Sequence, residues 1–548
     1  MNATELLVMY ERVADAPDAV TRLRSFVLDL AVRGKLVEQE HRPALRGTHG
    51  AFAPGSSGEV FEIPDGWRWA TLSELGTLRG GGTPSKARPD FWGGTIPWVS
   101  PKDMKRDYLA LAQMSVTESA LVGSAANLIP AGSVLFVVRG MILAHSFPVG
   151  IATVPLTINQ DMKALVLAAP EQGEYLLRAL KGMKAFMLKR VQRSSHGTCR
   201  LEGSDYSDFF VPIPPLAEQH RIVAKVDELM ALCDQLEAAR TEREAARDRL
   251  AAASLARLNA PDPDTFQADA RFAMNVLPAL TARPDQVKQL RQTILNLAVR
   301  GKLVPQDPSE EPAVKMLARL TPSASGMESS IREVPFNVPS GWIWLTMRNL
   351  VLHADAGWSP KTQDSQRIGN SWGVLKVSAV SWGEFRASEN KEVLPGTQPR
   401  LQAQVQRGDF LISRANTAEL VARSVIVEED PVNLMMSDKI VRLRLSPAVN
   451  PRFVCLVNNS ANYAREHYAR LASGVSPSMK NVSRDVILDL PIPLPPAGEQ
   501  ERIVEKVGEL MTLCDQLNSS LTAGDSTRSR LLGTLLHEAI ECPAPAAV

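Results

Sequence analysis

"LRSFVLDLAVRGKLVEQ" (Leu23–Gln39) returns almost unchanged as "LRQTILNLAVRGKLVPQ" (Leu290–Gln306), 267 residues further on. Solenoid repeats recur every few tens of residues, so this spacing marks one position in two large, similar halves. Three further landmarks recur. "EIPDGWRWATL" from Glu62 answers to "NVPSGWIWLTM" from Asn337, and "AEQHRIVAKVDELMALCDQLE" from Ala217 to "GEQERIVEKVGELMTLCDQLN" from Gly498. "APDAVTRLR" (Ala16–Arg24) resembles "RPDQVKQLR" (Arg283–Arg291). Four landmarks in one order establish an internal duplication. Between them the halves diverge: "GGGTPSKARPDFWGGTIPWVS" (Gly80–Ser100) faces "GWSPKTQDSQRIGNSWGVLKVS" from Gly357. A symmetric homodimer presents only identical surfaces. Two divergent copies in one chain can approach an asymmetric target on nearly symmetric supports.

Composition narrows the class. With 548 residues, 45% apolar and 22% charged, the chain is long enough for several folded domains. No apolar run approaches the ~20 residues of a membrane helix, and "MNATELLVMYERV" does not read as a signal peptide. Five cysteines, never spaced C-x-x-C, read as free thiols of a reducing cytoplasm. A net charge of +1 gives no global attraction to nucleic acid, so a polyanion would have to meet local patches.

The stretches 62–216 and 337–496 mix short β-rich runs ("SVLFVV", "DFLISR", "KIVRLRL") with Gly, Pro and Asn breaks, the pattern of globular α/β domains. They are flanked by helical segments at 1–61, 217–336 (with a linker) and 497–548. Each domain closes on prolines, "VPIPPLAEQ" and "LPIPLPPAGEQ", which suit an extended exit and a helix start. The next residues fall at 4-3-4-3 spacing: Ile222, Val226, Leu229, Cys233 and Leu236, then Ile503, Val507, Leu510, Cys514 and Leu517. That is a coiled-coil stripe. Two stripes in the same register are expected to pair with each other, antiparallel. The charged continuation after Leu236 extends the first helix to about thirty residues, ~45 Å. A stripe packed only on its own domain is the alternative.

Catalytic signatures are missing. There is no G-x-x-x-x-G-K-[ST] phosphate loop, no Gly-rich dinucleotide fingerprint, and no H-E-x-x-H among eight histidines. "PDFW" and "ENK" lie in opposite halves and are too short to carry weight. No metal site is expected.

Basic residues cluster instead. The window Tyr175–Leu201 holds Arg178, Lys181, Lys184, Lys189, Arg190, Arg193 and Arg200 without one acid, a pattern that suits phosphate contacts; a solvated helix face is the alternative. The second half offers the weaker set Arg465, Arg470 and Lys480. Base edges are read by Arg, Lys, Asn or Gln held on loops. The candidates are Lys86, Arg88, Lys102 and Arg139 in the first half, and Lys361, Lys376, Arg414 and Asn416 in the second. Arg139 and Arg414 each follow a β-like run, "VLFVVRG" and "DFLISRAN".

Taken together, "P-x-G-W-x-W" (Pro64–Trp69, Pro339–Trp344), "GGTPS" with "IPWVS", "PIPPLAEQHRIVAKVDEL" with its second copy, and "LAVRGKLV" before each domain resemble the specificity subunits of type I restriction–modification enzymes. The resemblance spans nearly the whole chain. It implies two target recognition domains separated by conserved helices that form an antiparallel coiled coil with pseudo-twofold duplication. Each domain would read one half of a split site in double-stranded DNA, with no catalysis by this chain. It further implies two adenine-methylating modification subunits and, in the full complex, two restriction/translocase subunits. S-adenosylmethionine, ATP and Mg would be bound by those partners and no cofactor by this chain. "GWSPK" and "LPPAGEQ" in the second half, and "SSHGTCRLEG" in the first, depart from the family pattern. A recognition subunit of another multisubunit restriction–modification system, or a coiled-coil scaffold that touches no DNA, are the other readings.

Overall fold

The landmarks that repeat in the sequence meet, in each half of the chain, at one junction. The computed structural model describes residues 5–6, 8, 10–11, 14, 16–39, 61–193, 197–320, 334–381, 383–474 and 479–541. They divide into two compact units: unit 1, Met1–Arg243 with Gly524–Val548, and unit 2, Glu244–Ala523. Their helices include α1 (Ala19–Val32), α2 (Gly173–Gly182), α3 (Leu216–Asn259), α4 (Pro284–Val299), α5 (Pro451–Asn459) and α6 (Ala497–Glu541).

Helix α1 forms because Leu23, Phe26, Val27 and Leu30 share one face, and all four are buried. It stops at "RGK". Gly34 takes a φ of +66°, and Lys35 N–H turns back to the Leu30 carbonyl at 2.9 Å, a left-handed helix stop. Unit 2 repeats it: Gly301 has φ +65°, and Lys302 N–H reaches Leu297 O at 3.0 Å. Both glycines are also required for space. A Cβ on Gly34 would lie 2.3 Å from Pro64 Cγ, and one on Gly301 2.6 Å from Pro339 Cγ. The neighbouring indoles then donate to buried carboxylates at the starts of the long helices: Trp67 Nε1 to Glu218 at 3.1 Å, Trp342 Nε1 to Glu499 at 2.9 Å. Gln219 and Gln500 donate to the carbonyls of Pro214 and Pro495 at 2.9 and 3.0 Å. "LAVRGKLV", "P-x-G-W-x-W" and "P-x-x-E-Q" are therefore one interlocked joint, built twice.

Each α/β domain is clasped by its first and last strands, Arg68–Thr71 with Phe210–Ile213 and Ile343–Thr346 with Pro491–Leu494. These are two-stranded ladders, where a proline's missing N–H leaves no inner neighbour unpaired. The main sheet of unit 1 runs Gly76–Gly80, Met162–Leu167, Val134–Val137, Val149–Ala152, Tyr108–Leu109. That of unit 2 runs Val351–Ala356, Ile440–Leu445, Phe410–Ser413, Ser424–Ile426. Order and antiparallel pairing agree over the first four strands. A second sheet pairs Trp92–Val99 parallel with Leu156–Ile158, matched in unit 2 by Gly373–Leu375 with Leu434–Met435. Val134–Val137 and Phe410–Ser413 are buried throughout, as strands covered on both faces must be. The halves that diverge in sequence between landmarks thus share one topology over these strands.

The long helices exceed the expected length. Helix α3 has 44 residues and α6 has 45; in α3 the Ala-, Glu- and Arg-rich continuation contains no breaker and consists largely of strong helix formers. The stripes do not face one another: each packs within its own unit, and Leu532 and Leu536 from the far end of α6 join the first stripe. Ile222, Val226, Leu229 and Cys233, with Leu236 against them, enter the core of unit 1 beside Leu23, Val27 and Leu30 of α1. Ile503, Val507 and Cys514, with Leu510 and Leu517, enter the core of unit 2 beside Val287, Ile294 and Ala298 of α4. Each stripe has a complementary stripe on a short helix of its own unit. Arg24 fixes the first pairing through Asp234 and Glu237, both at 2.6 Å, and Arg291 pairs with Asp515 in the second.

Candidate nucleic-acid interface

Several residues read as phosphate contacts are structural. The Arg178 guanidinium, on α2, is buried; it donates to Asp227 at 2.8 Å and to Tyr108 Oη at 3.2 Å and lies 3.4 Å from Asp107. Lys181 is half-buried and pairs with Asp107. Arg190 donates to the Asp205 carbonyl at 3.0 Å and lies over Phe209. In unit 2 Arg465 donates to the carbonyls of Val421, Ala422 and Asn458 and lies over Tyr468. Burial, with Arg423 nearby, pulls its guanidinium down to about 10. These four cations are taken up inside the fold and are not available to phosphate. An acid-free window could not show that Asp107 and Asp227 come from distant segments. Lys184, Lys189, Arg193 and Arg470 are exposed, Lys189 beside the Phe186 ring. Arg200 is exposed and pairs with Glu202 at 2.8 Å. Lys480 donates to Gly474 O at 2.5 Å. The serine loop after Arg193 lies outside the described residues at 194–196.

Arg139 and Arg414 stand at matching edges of the two domains, with Asn416 beside the second. Arg139 follows Val134–Val137 and Arg414 follows Phe410–Ser413. Arg139 N–H donates to Asp161 O at 3.2 Å, and Arg414 N–H to Lys439 O at 2.7 Å. Next to Arg139 runs Cys199–Arg200, through an antiparallel bridge with Arg200. Next to Arg414 runs Lys480–Asn481, with Asn416 opposite Lys480. The loops after the first sheet strand are clipped to this edge by a hydroxyl: Thr83 to Gln160, and Ser359 to Asp438, one residue before the carbonyls just named. A glycine lets each loop approach, since a Cβ on Gly81 or Gly357 would sit 2.1 Å from the carbonyls of Ile158 or Ser437. Thr83, Gln160, Ser359 and Asp438 escape a sequence reading because nothing in their spacing announces the contact.

Not every candidate is equally available. Lys86, Lys102 and Lys361 are exposed. Arg88 is exposed but held in a fork by Asp90 at 2.9 and 2.7 Å and stacked on Phe91. Its partner raises the guanidinium further above its ordinary range, first through the side-chain hydrogen bond. Lys376 lies 3.6 Å from Glu389. Asn416 donates to Ser381 Oγ at 2.8 Å. Arg139 is exposed, whereas Arg414 is half-buried and its Nε finds no hydrogen-bond partner among the described residues. Among those residues no group of three or more His, Cys, Asp or Glu is arranged to hold a metal, and no helix is long and apolar enough to cross a membrane.

Residues 64–244 match the family model of the type I restriction modification DNA specificity domain. The type I restriction enzyme EcoEI specificity subunit of Escherichia coli is 28% identical over 572 residues, covering 95% of this chain and 94% of that protein. The EcoAI specificity subunit of Escherichia coli is 24% identical over 584 residues, with the same coverage of 95% and 94%. A chain from a solved structure titled as the basis of complex assembly and conformational transition of the type I R-M system overlaps with a TM-score of 0.50. At 17% identity it covers 88% of this chain and 99% of its own length, a likeness of fold.

Proposed function

Because this chain belongs to the type I restriction–modification specificity subunits, we propose that it reads a bipartite, asymmetric site in duplex DNA and directs partner subunits to it. The observation that carries this reading is the matched edge. Two domains of one topology place Arg139 and Arg414 at the same turn and surround them with different loops. One frame with two different reading edges is what two unlike half-sites call for. We assign 62–216 and 337–496 as the recognition domains, and 1–61, 217–336 and 497–548 as the frame. Arg139, Lys86 and Lys102 are the base readers of the first domain, with Arg414, Asn416 and Lys361 in the second. Lys184, Lys189, Arg193, Arg470 and Lys480 serve phosphate.

The chemistry belongs to the partners. Two modification subunits methylate adenine with S-adenosylmethionine, and two restriction/translocase subunits use ATP and Mg, in the cytoplasm. This chain contributes selection of the site. Selection of random duplexes on the assembled methylating complex should enrich one split motif whose halves are unrelated in sequence. Enrichment of a single uninterrupted palindrome, or of nothing, contradicts the reading.

A further inference from the structure

The two main sheets part company at their last strand. In unit 1 Tyr108–Leu109 adds a fifth strand parallel to Val149–Ala152, and Ile151 N–H donates to the Asp107 carbonyl at 2.7 Å. Arg178 then locks this strand to α3 through Asp107, Tyr108 and Asp227. In unit 2 the sheet ends one strand earlier, at Ser424–Ile426. The buried residues Phe453, Val454 and Val457 of α5 match Tyr175, Leu176 and Ala179 of α2, so Leu456 stands where unit 1 has Arg178. In the repeated helix sequence Gly508 stands where unit 1 has Asp227. Both partners of the internal lock are gone.

What remains is an open groove of about 660 Å³. Its floor is apolar, made by Ile426, Leu456, Val507 and Met511. Its rim carries four acids, Glu384, Glu428, Glu429 and Asp430, against one lining cation, Arg452, which Glu428 holds at 2.8 Å. Arg386, just outside the lining, pairs with Glu384 at 2.8 Å. The strand at its edge is half-capped. Ser424 N–H donates to Asn459 Oδ1 at 3.1 Å, and Asn459 Nδ2 donates to Ser424 O at 2.8 Å, so a side-chain amide stands in for a neighbouring strand there. The two-residue period of the strand turns Ile426 to the same side, over the groove. An open sheet edge is a template for an added strand.

We propose that this groove docks an extended segment of a partner protein, laid beside Ser424–Ile426 as the missing fifth strand and carrying an arginine or lysine among the rim carboxylates. Unit 1 argues for that occupant, because there the same place is filled by a strand and a guanidinium ringed by acids. In unit 2 the helix supplies no cation and the rim carries acids of its own, of which Glu384 and Glu428 have arginine partners, so the incoming strand brings a cation to Glu429 and Asp430. The inference rests on the chain working inside a multisubunit assembly.

Hydrogen exchange measured on the free chain and on the complex assembled with its modification and restriction partners tests it. Assembly should slow exchange of the Ile426 amide at least tenfold, and leave those of Val427, already bonded to the Asp409 carbonyl, and Ile151, already paired, as they were. Leu456→Arg with Gly508→Asp, which rebuilds the unit 1 lock, should weaken assembly about tenfold in a chain that melts no lower. Glu429→Lys, which leaves the floor intact, should weaken assembly more at low salt than at high salt. A complex that assembles while the Ile426 amide exchanges as fast as in the free chain overturns the proposal and leaves the functional reading standing. A chain that assembles with neither partner overturns both.

Discussion

Unit 1 finishes its main sheet with Tyr108–Leu109 and pins it with a buried arginine, whereas unit 2 stops at Ser424–Ile426 and leaves an acidic groove. At the joint below those sheets the units are nearly superimposable in chemistry: glycine against proline, indole on buried carboxylate, glutamine on a proline carbonyl, all present twice. The contrast separates two kinds of constraint. Joint residues are fixed by close contact, where an added methyl group collides. Edge residues answer to what each domain meets outside, and they are free to drift apart.

The largest effect should come from exchanging an entire reading body. Replacing 62–216 with the equivalent segment of a relative should change one half of the recognised site completely and leave the other half intact. Methylation mapping of the hybrid checks this, and simultaneous change of both halves would break the comparison of independent edges.

Next comes the joint. Gly34→Ala or Gly301→Ala places a Cβ against proline at a positive φ, a combined penalty on the order of 2–4 kcal/mol. Thermal melting should show each substitution destabilising its own unit by a similar amount. A loss confined to one of the two would mean that the joints are not equivalent.

At the reading edges, Arg139→Ala and Arg414→Ala should each reduce discrimination within one half-site by about 1–3 kcal/mol if the side chain makes a bidentate base contact. Binding to systematically mismatched duplexes sharpens the comparison. Arg414, half-buried with an unpartnered Nε, should also lower the melting temperature on substitution; exposed Arg139 should not.

A smaller, pH-dependent effect is expected at the second joint. Burial is the main influence on Glu499 and raises its carboxyl above the usual range, although Gln306 and Trp342 donate to it. The folded state therefore favours the protonated form. Stability from this group is complete below the ordinary carboxylate pKa and is lost as pH rises through the raised value. Glu499→Gln keeps an acceptor for the indole, so it should melt higher than the parent at pH 7, with the gain vanishing near pH 4. Calorimetry across that range decides, and a gain independent of pH would contradict the account.

The smallest effect should be uniform. Lys184→Ala and Arg193→Ala should weaken cognate and non-cognate duplexes alike and reduce the salt slope by about one unit each. Lys181→Ala, whose charge is taken up by Asp107, should lower stability before it alters the slope. A salt series on all three separates them.

Much of the frame can be read from the sequence, because its signals are local or repeated. A glycine inside "LAVRGKLV", prolines before "EQ" and a 4-3-4-3 stripe each specify a nearby structure. What faces a stripe is a long-range fact: Ile222 and Ile503 have the same spacing whether they meet each other or meet α1 and α4. Arg178 and Arg465 show the same gap at the site. Positive charge in an acid-free window looks solvated until Asp227, 49 residues away, or the Val421 carbonyl, 44 residues away, arrives through the fold. The common topology of the two domains was hidden for a related reason. Loops of different length carry most of their residues, while the matching strands are only a few residues long.

The central claim is that one chain carries two different readers on one repeated frame. Single-molecule methylome sequencing of the host with and without the gene tests it most directly. The account predicts that loss of the gene erases adenine methylation at one split, asymmetric motif, each half of which maps to one recognition domain. A methylome unchanged by loss of the gene would contradict it.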